Sequence, residues 1–250
     1  MSASRFVWYE LLTRDVDAAT AFYGPLLGWQ AQDFPGGEGR YVTVSVDGRG
    51  VGGVMALPEG MSKPFWLGYI GTSDIGGSVR RFTDAGGVVH REPWEIPGVG
   101  QLALVADPQG AGIAFFQSAE NRTSEAFDQN RPGHGNWHEL HTTDPEAAAQ
   151  FYAGQFGWTL GAAMPMGAMG TYQIFEADGT QLGGIMRAQG PMPPMWAYYY
   201  FGVPSSRAAA ARIAESGGTV LNGPQEVPGG AMIVQARDPQ GAMFAVVGPA

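Results

Sequence analysis

Two stretches of this 250-residue chain decide its fold: Phe6-Val7-Trp8-Tyr9-Glu10-Leu11-Leu12-Thr13 and Asn136-Trp137-His138-Glu139-Leu140-His141-Thr142. Further motifs return in the same order, namely Phe22-Tyr23 with Gly28-Trp29 as Phe151-Tyr152 with Gly157-Trp158, and Asp107-Pro108-Gln109-Gly110 as Asp238-Pro239-Gln240-Gly241. Self-similarity at a long, fixed spacing is the signature of a repeated structural unit. The chain is therefore predicted to contain two halves of one fold.

Each half divides again into two modules. Residues 6–13 alternate as a strand does, and Asp15 and Gly28 are good cap residues for a helix between them. A hairpin follows over residues 41–56, and a second strand–helix–strand series begins at Phe65. We predict an α+β fold of four βαβββ modules. The predicted domains are residues 1–118 and 133–250, and the linker is 119–132.

Composition excludes several classes of protein. The formal net charge of −9 argues against nucleic acid and against an anionic membrane surface as partners. The absence of cysteine excludes disulfide scaffolds and zinc–thiolate sites. No apolar run approaches the roughly 20 residues of a membrane span, and the first residues do not resemble a signal peptide. We expect a cytoplasmic protein, either a monomer or a homodimer.

The repeated motifs resemble those of the vicinal oxygen chelate superfamily, which includes glyoxalase I, bleomycin-resistance proteins and extradiol dioxygenases. The resemblance covers nearly the whole chain and is greatest to tandem glyoxalase-like proteins. It implies two tandem domains of paired modules, whose curved mixed sheets surround cavities for small molecules. It leaves open whether the modules pair in sequence order or crosswise, the first with the fourth and the second with the third.

The resemblance also implies His, Glu or Gln metal ligands at fixed positions of each module. Those positions fall on Trp8 and Trp137, near Leu67 and Tyr198, and on Ala114 and Ala245. None of these side chains is one of those ligands, and a divalent ion needs three or four nitrogen or oxygen donors. We expect neither metal nor other cofactor. The cluster of His134, His138 and His141 does not change this, since strand alternation points His141 away from the other two.

Strand alternation instead predicts an aromatic cavity with a few polar groups. Trp8 and Glu10 share one strand face in the first half, and Trp137, Glu139 and His141 share the matching face in the second. Neighbouring carboxylate and imidazole groups suit proton transfer. The predicted catalytic residues are Glu139, His141, Glu10 and Tyr200. The predicted substrate-binding residues are Trp8, Trp137, Tyr198, Tyr69, Tyr172 and Met166.

Each of these assignments has a structural alternative. The two glutamates can simply accept hydrogen bonds, and His141 can be a satisfied core residue. Residues 161–170 form a methionine-studded, glycine-rich segment that suits either a lid over the ligand or a plain surface loop.

Three functions follow from this pattern. The first is a metal-independent enzyme of secondary metabolism that uses acid–base chemistry on a small aromatic, polyketide-like or enolisable metabolite, by dehydration, cyclisation, isomerisation or epimerisation. The second is a drug-binding or metabolite-binding resistance protein without catalysis. The third is a metal-dependent glyoxalase-like lyase with displaced ligands. The asymmetric Glu139–His141 pair favours the first.

Overall fold

The computed structural model describes residues 3–35, 39–120 and 123–250. The elements of the first half are β1 (Phe6–Thr13), α1 (Val16–Leu27), β2 (Gln30–Phe34), β3 (Tyr41–Val46), β4 (Arg49–Ala56), β5 (Phe65–Gly71), α2 (Ile75–Asp84), β6 (Val88–Ile96), β7 (Gly100–Ala106) and β8 (Gly112–Ser118). Those of the second half are β9 (Gly135–Thr142), α3 (Pro145–Phe156), β10 (Thr159–Pro165), β11 (Thr171–Ala177), β12 (Thr180–Arg187), β13 (Met195–Gly202), α4 (Ser206–Glu215), β14 (Thr219–Glu226), β15 (Met232–Arg237) and β16 (Met243–Gly248).

This order confirms four βαβββ modules. The strands form two eight-stranded mixed sheets, one with the order β2-β3-β4-β1-β5-β8-β7-β6 and the other with the order β10-β11-β12-β9-β13-β16-β15-β14. Within each module the first strand pairs in parallel with the last strand, as β9 does with β12. The outer strands of each module are antiparallel hairpins.

Each sheet contains the strands of one half, whereas the two compact units of the chain each combine modules from both halves. One unit comprises residues 1–7, 68–123 and 137–197, and the other comprises residues 8–67, 124–136 and 198–250. Of the two pairings that the sequence left open, these units follow the crosswise one. The domain boundaries at residues 118 and 133 stay a prediction. Below, the two groups of residues are called unit 1 (1–7, 68–123, 137–197) and unit 2 (8–67, 124–136, 198–250).

The helices begin and end where their cap residues predict. Asp15 and Asp144 accept hydrogen bonds from the backbone amides of Ala18 and Ala147, which would otherwise lack a partner in the first helical turn. Gly28 and Gly157 end α1 and α3 in the left-handed conformation, which costs glycine little because it has no Cβ.

The repeated motifs explain the core of each unit. In unit 1 the Tyr152 hydroxyl of α3 donates to the Asp107 carboxylate at 3.0 Å, and the same carboxylate accepts from the backbone amides of Gln109 and Ala111. Unit 2 repeats this arrangement with Tyr23 and Asp238 at 3.1 Å. The Phe-Tyr and Asp-Pro-Gln-Gly motifs therefore bind each other. Each of these hydrogen bonds joins a module of one half to a module of the other half.

Two details differ from the sequence prediction. The segment 161–170 is not a loop throughout, because β10 continues to Pro165 and pairs with β11. The first and third modules also contain β2 and β10, short outer strands that alternation did not reveal because their side chains are mostly exposed. No helix within the described residues is long and apolar enough to cross a membrane.

Candidate functional site

A buried carboxylate–imidazole pair lies on β9 in unit 1. The Nε2 atom of His141 lies 2.6 Å from Oε1 of Glu139, and the two residues are 7% and 6% exposed. Residues two apart on a strand point to the same face, which is why alternation brings these side chains together. A short contact of this kind between a carboxylate and an imidazole is strengthened by burial, because the surroundings screen the charge less than water does.

A tyrosine from the neighbouring hairpin binds the other oxygen of Glu139. The Tyr172 hydroxyl donates to Oε2 of Glu139 at 3.2 Å and accepts from the Trp137 indole N–H at 2.8 Å. Burial, and then the charge of Glu139, raise the pKa of Tyr172 well above its ordinary value. The hydroxyl therefore keeps its proton at neutral pH. We call Trp137, Tyr172, Glu139 and His141 the second-half relay.

A glycine makes this contact possible. Gly184 of β12 is the parallel-strand neighbour of Glu139, and the Tyr172 ring lies directly across it. A Cβ atom at this position would overlap the ring. The tyrosine reaches the glutamate only because the intervening strand has no side chain there.

The surroundings of the relay are apolar. Tyr172, Ile174 and Met186 form a buried cluster, against which the partly buried side chains of Trp137 and Met164 pack. Such a wall around a few fixed polar groups is typical of sites for small organic molecules. A methionine side chain adapts to irregular apolar ligands, which suits Met164 at this edge.

The first half holds a copy of the relay without its last member. In unit 2 the Trp8 indole donates to the Tyr41 hydroxyl at 2.9 Å, and that hydroxyl is hydrogen-bonded to Glu10. Burial, and then the charge of Glu10, raise the pKa of Tyr41 as well. We call Trp8, Tyr41 and Glu10 the first-half relay. The place of His141 is taken by Leu12, which is 6% exposed.

Gly53 repeats the role of Gly184. It is the parallel-strand neighbour of Glu10, and a Cβ atom there would overlap the Tyr41 ring. The sequence prediction missed both glycines and the role of Tyr41. The signal was present in the repeated pairs Gly52-Gly53 and Gly183-Gly184, since glycine inside a strand often marks the close approach of another group.

The other predicted site residues are divided between the two units, with Tyr69 and Met166 in unit 1. Tyr198 and Tyr200 belong to unit 2, where their ring centroids are 6.2 Å apart and the Tyr200 hydroxyl accepts from Gln235 at 2.8 Å. Tyr69 is buried on β5 beside Ala114 of β8. Met166 is 38% exposed at the hairpin tip, outside the cluster that contains Met164. Their roles in binding or catalysis stay predictions.

The two remaining histidines of the cluster are bound to backbone carbonyl groups. Nδ1 of His138 lies 2.6 Å from the Leu182 oxygen, and its ring stacks on Phe6 at 3.7 Å within unit 1. Burial lowers the pKa of His138 to about 3. In unit 2, Nδ1 of His134 lies 2.6 Å from the Glu125 oxygen. His138 and His141, both on β9, therefore have different partners, as strand alternation predicts for positions three apart.

These residues do not fit the divalent metal that the fold family implies. A stable site needs three or four donors, whereas the relay offers the two side chains of Glu139 and His141. Across residues 3–35, 39–120 and 123–250, no three His, Asp or Glu side chains are grouped to hold an ion. We therefore derive no chemical step through a metal.

Two depressions in unit 2 are not lined by either relay. One, of about 310 Å³, lies beside α1 and the turn at Asp238–Gln240. The other, of about 670 Å³, lies between the end of α1 and the start of α4. Both border helices, whereas the relays lie on the sheets.

Comparison with known proteins assigns this architecture to a family. Residues 135–246 match the glyoxalase/bleomycin resistance protein/dioxygenase superfamily, and residues 5–46 match the bleomycin resistance protein-like N-terminal family. The fold is similar to that of the Mn(II)-bound glyoxalase from Novosphingobium aromaticivorans, with a TM-score of 0.68 and 16% identity over 99% of this chain and 82% of that one.

Two curated proteins are similar over almost their entire lengths. CFP32 of Mycobacterium tuberculosis, whose name assigns it provisionally to the glyoxylases, is 33% identical over 97% of this chain and 94% of its own. The anthracycline biosynthesis protein DnrV of Streptomyces peucetius is 31% identical over 96% of this chain and 91% of its own.

Proposed function

Because the chain belongs to the glyoxalase/bleomycin resistance protein/dioxygenase superfamily, we propose that it is an acid–base enzyme that acts on a small aromatic or enolisable metabolite without a metal. The single observation that carries this proposal is the 2.6 Å contact between His141 and Glu139 beside an apolar cluster. A buried imidazole supported by a carboxylate is a common acid–base unit.

The reaction that suits this pair is proton transfer at a carbon next to a carbonyl group. The C–H bond breaks, its electrons form an enolate, and His141 receives the proton. Return of the proton to the same carbon, to another carbon or to a leaving hydroxyl gives epimerisation, isomerisation or dehydration. None of these outcomes needs an oxidant, a reductant or a second substrate.

The apolar walls favour a flat substrate of low charge. The partly buried side chains of Trp137 and Met164, which pack against the buried cluster, offer surfaces for stacking and dispersion contacts. The anthracycline biosynthesis protein among the relatives supports an aromatic polyketide-like compound and a place in secondary metabolism.

The decisive experiment measures proton exchange. The protein is incubated in D₂O with a panel of aromatic polyketides and simple enolisable ketones, including an anthracycline, and each compound is analysed by mass spectrometry. We expect deuterium uptake or loss of water for at least one compound, and a roughly 100-fold or larger decrease in Glu139→Gln. Glu146→Gln, the same change at an exposed glutamate in the first turn of α3, is the control. Undiminished turnover by Glu139→Gln contradicts the proposal.

Binding without catalysis is the second candidate, and the first-half relay favours it. That relay has the indole, phenol and carboxylate groups but Leu12 in place of a histidine. The match of residues 5–46 to a bleomycin resistance protein-like family points the same way. Tight binding of a panel compound with no exchange and no product, abolished by Trp137→Ala, supports this candidate.

A metal-dependent lyase is tested by elemental analysis of the purified protein. About one equivalent of bound divalent metal, with activity that a chelator abolishes, requires a ligand set that involves Glu10, Glu139 or the histidines near residue 138. Under our proposal, a chelator leaves the exchange reaction unchanged.

A further inference from the structure

The two oxygens of Glu139 have different partners, and this fixes where the protons of the second-half relay lie. The Trp137 N–H can only donate, so the Tyr172 oxygen accepts from it. The single Tyr172 proton is therefore directed to Oε2 of Glu139. Burial keeps this proton in place, since it raises the pKa of Tyr172.

The remaining oxygen of Glu139 decides the state of His141. A carboxylate oxygen accepts hydrogen bonds, so Nε2 of His141, 2.6 Å from Oε1, must carry a hydrogen. In the neutral imidazole the other nitrogen, Nδ1, then carries the lone pair. The tautomer of a histidine is set by the bond that one of its nitrogens makes.

We propose that Tyr172 is a positioning residue, which by binding Oε2 of Glu139 turns Oε1 toward His141 and holds the imidazole in its Nε2–H tautomer. This inference rests on the proposed function for its catalytic meaning, because it names Nδ1 as the atom that takes the proton. The geometry itself depends only on the contacts among Trp137, Tyr172, Glu139 and His141. Gly184 contributes to the same arrangement, because its lack of a side chain leaves room for the Tyr172 ring.

The chain contains its own reference for the opposite tautomer. Nδ1 of His138 and Nδ1 of His134 each lie 2.6 Å from a backbone carbonyl oxygen, which accepts and cannot donate. In its neutral form, each ring must therefore carry the hydrogen on Nδ1. With four histidines in the chain, the imidazole signals are few enough to be resolved individually.

The test is long-range ¹H–¹⁵N correlation NMR of the whole protein labelled with ¹⁵N-histidine, recorded above pH 7. His141→Gln assigns the His141 signals. We expect the Nε2–H pattern for His141 and the Nδ1–H pattern for His134 and His138. In Tyr172→Phe, which keeps the ring and removes the hydroxyl, we expect a mixture of tautomers at His141. Tyr41→Phe, the same change in the first half, is the control and leaves His141 unchanged.

Two outcomes overturn the proposal. One is an Nδ1–H pattern for His141 in the unmodified protein, and the other is an unchanged His141 pattern in Tyr172→Phe. Trp137→Phe gives a second route if Tyr172→Phe fails to fold. It leaves Tyr172 in place but removes the donor that orients the hydroxyl, so partial loss of the Nε2–H form is expected, and an unchanged pattern also overturns the proposal.

Activity measurements separate this inference from the proposed function. Where an exchange substrate is found, Tyr172→Phe is expected to shift the pH profile of kcat/KM and to lower kcat by roughly 10-fold, with little change in KM. If the NMR patterns are as expected but His141→Gln keeps full turnover, the proposed function fails and the tautomer assignment stands. If His141→Gln is inactive but the NMR patterns differ from those expected, the tautomer assignment fails and the proposed function stands.

Discussion

The two relays match at three positions and differ at a fourth. Trp8, Tyr41 and Glu10 in the first half match Trp137, Tyr172 and Glu139 in the second, and indole–phenol distances are 2.9 and 2.8 Å. In both relays a glycine leaves room for the tyrosine ring. The difference is one position, Leu12 against His141. A buried carboxylate beside leucine can accept hydrogen bonds, whereas beside an imidazole it can take part in proton transfer.

The largest expected effect comes from making the second relay a copy of the first. His141→Leu removes the imidazole, and we expect exchange turnover to fall by about 100- to 10,000-fold, because general acid–base groups contribute on that scale. Mass spectrometry in D₂O measures it. Leu12→Ile, a conservative change at the matching position, is the control. Equal losses in the two variants contradict the functional difference between the halves.

The next largest effect concerns a feature that both halves share, the glycine beside the tyrosine ring of each relay. Gly184→Ala and Gly53→Ala each place a methyl group where a tyrosine ring lies, and we expect each to lower the free energy of unfolding by roughly 1–3 kcal/mol through overpacking. Urea unfolding measures it. The control is Gly154→Ala on α3, where a methyl group meets nothing and helix propensity favours alanine by up to about 1 kcal/mol. Similar stability of all three variants refutes the role of the glycines.

A second difference between the halves is His138, whose counterpart in the first half is Tyr9. Burial lowers the pKa of His138 from 6.5 to about 3, so the unfolded chain binds more protons than the folded one between those values. Its contribution is complete above pH 6.5 and declines as the pH falls toward 3, by at most about 1.4 kcal/mol per pH unit.

His138→Gln tests this directly. Glutamine can still donate to the Leu182 oxygen but does not titrate, so the variant should lose less stability than the unmodified protein between pH 7 and pH 5. Urea unfolding at both values gives the difference. Parallel declines would mean that the pKa of His138 is the same in the folded and unfolded chains, contrary to the expectation.

The smallest expected difference between the halves is the one between the stabilities of Tyr23→Phe and Tyr152→Phe. Tyr23→Phe and Tyr152→Phe remove the hydroxyls that donate to Asp238 and Asp107 at 3.1 and 3.0 Å. Hydrogen bonds to charged groups contribute about 1.5–3 kcal/mol, and we expect similar losses in both variants. Calorimetric unfolding compares them. A loss confined to one variant shows that the tyrosine–aspartate hydrogen bond does not stabilise both units equally.

The sequence was sufficient to predict the helices and most of the strands, but not β2 and β10. The repeated motifs predicted four βαβββ modules, the caps at Asp15 and Asp144 placed the helices, and alternation placed Trp137, Glu139 and His141 on one strand face. These are local properties, because period, cap chemistry and repeat spacing are written in adjacent residues. The superfamily was identified from the same motifs.

Contacts between strands distant in sequence required the tertiary structure. Tyr172 was predicted as a wall residue, and only the register of β9, β11 and β12 shows that its ring crosses Gly184 to reach Glu139. The bond between Tyr152 and Asp107 likewise reveals the crosswise units. Sequence determined which residues could do chemistry, whereas pairing register decided which of them meet, since register depends on packing across the whole sheet and not on neighbouring residues.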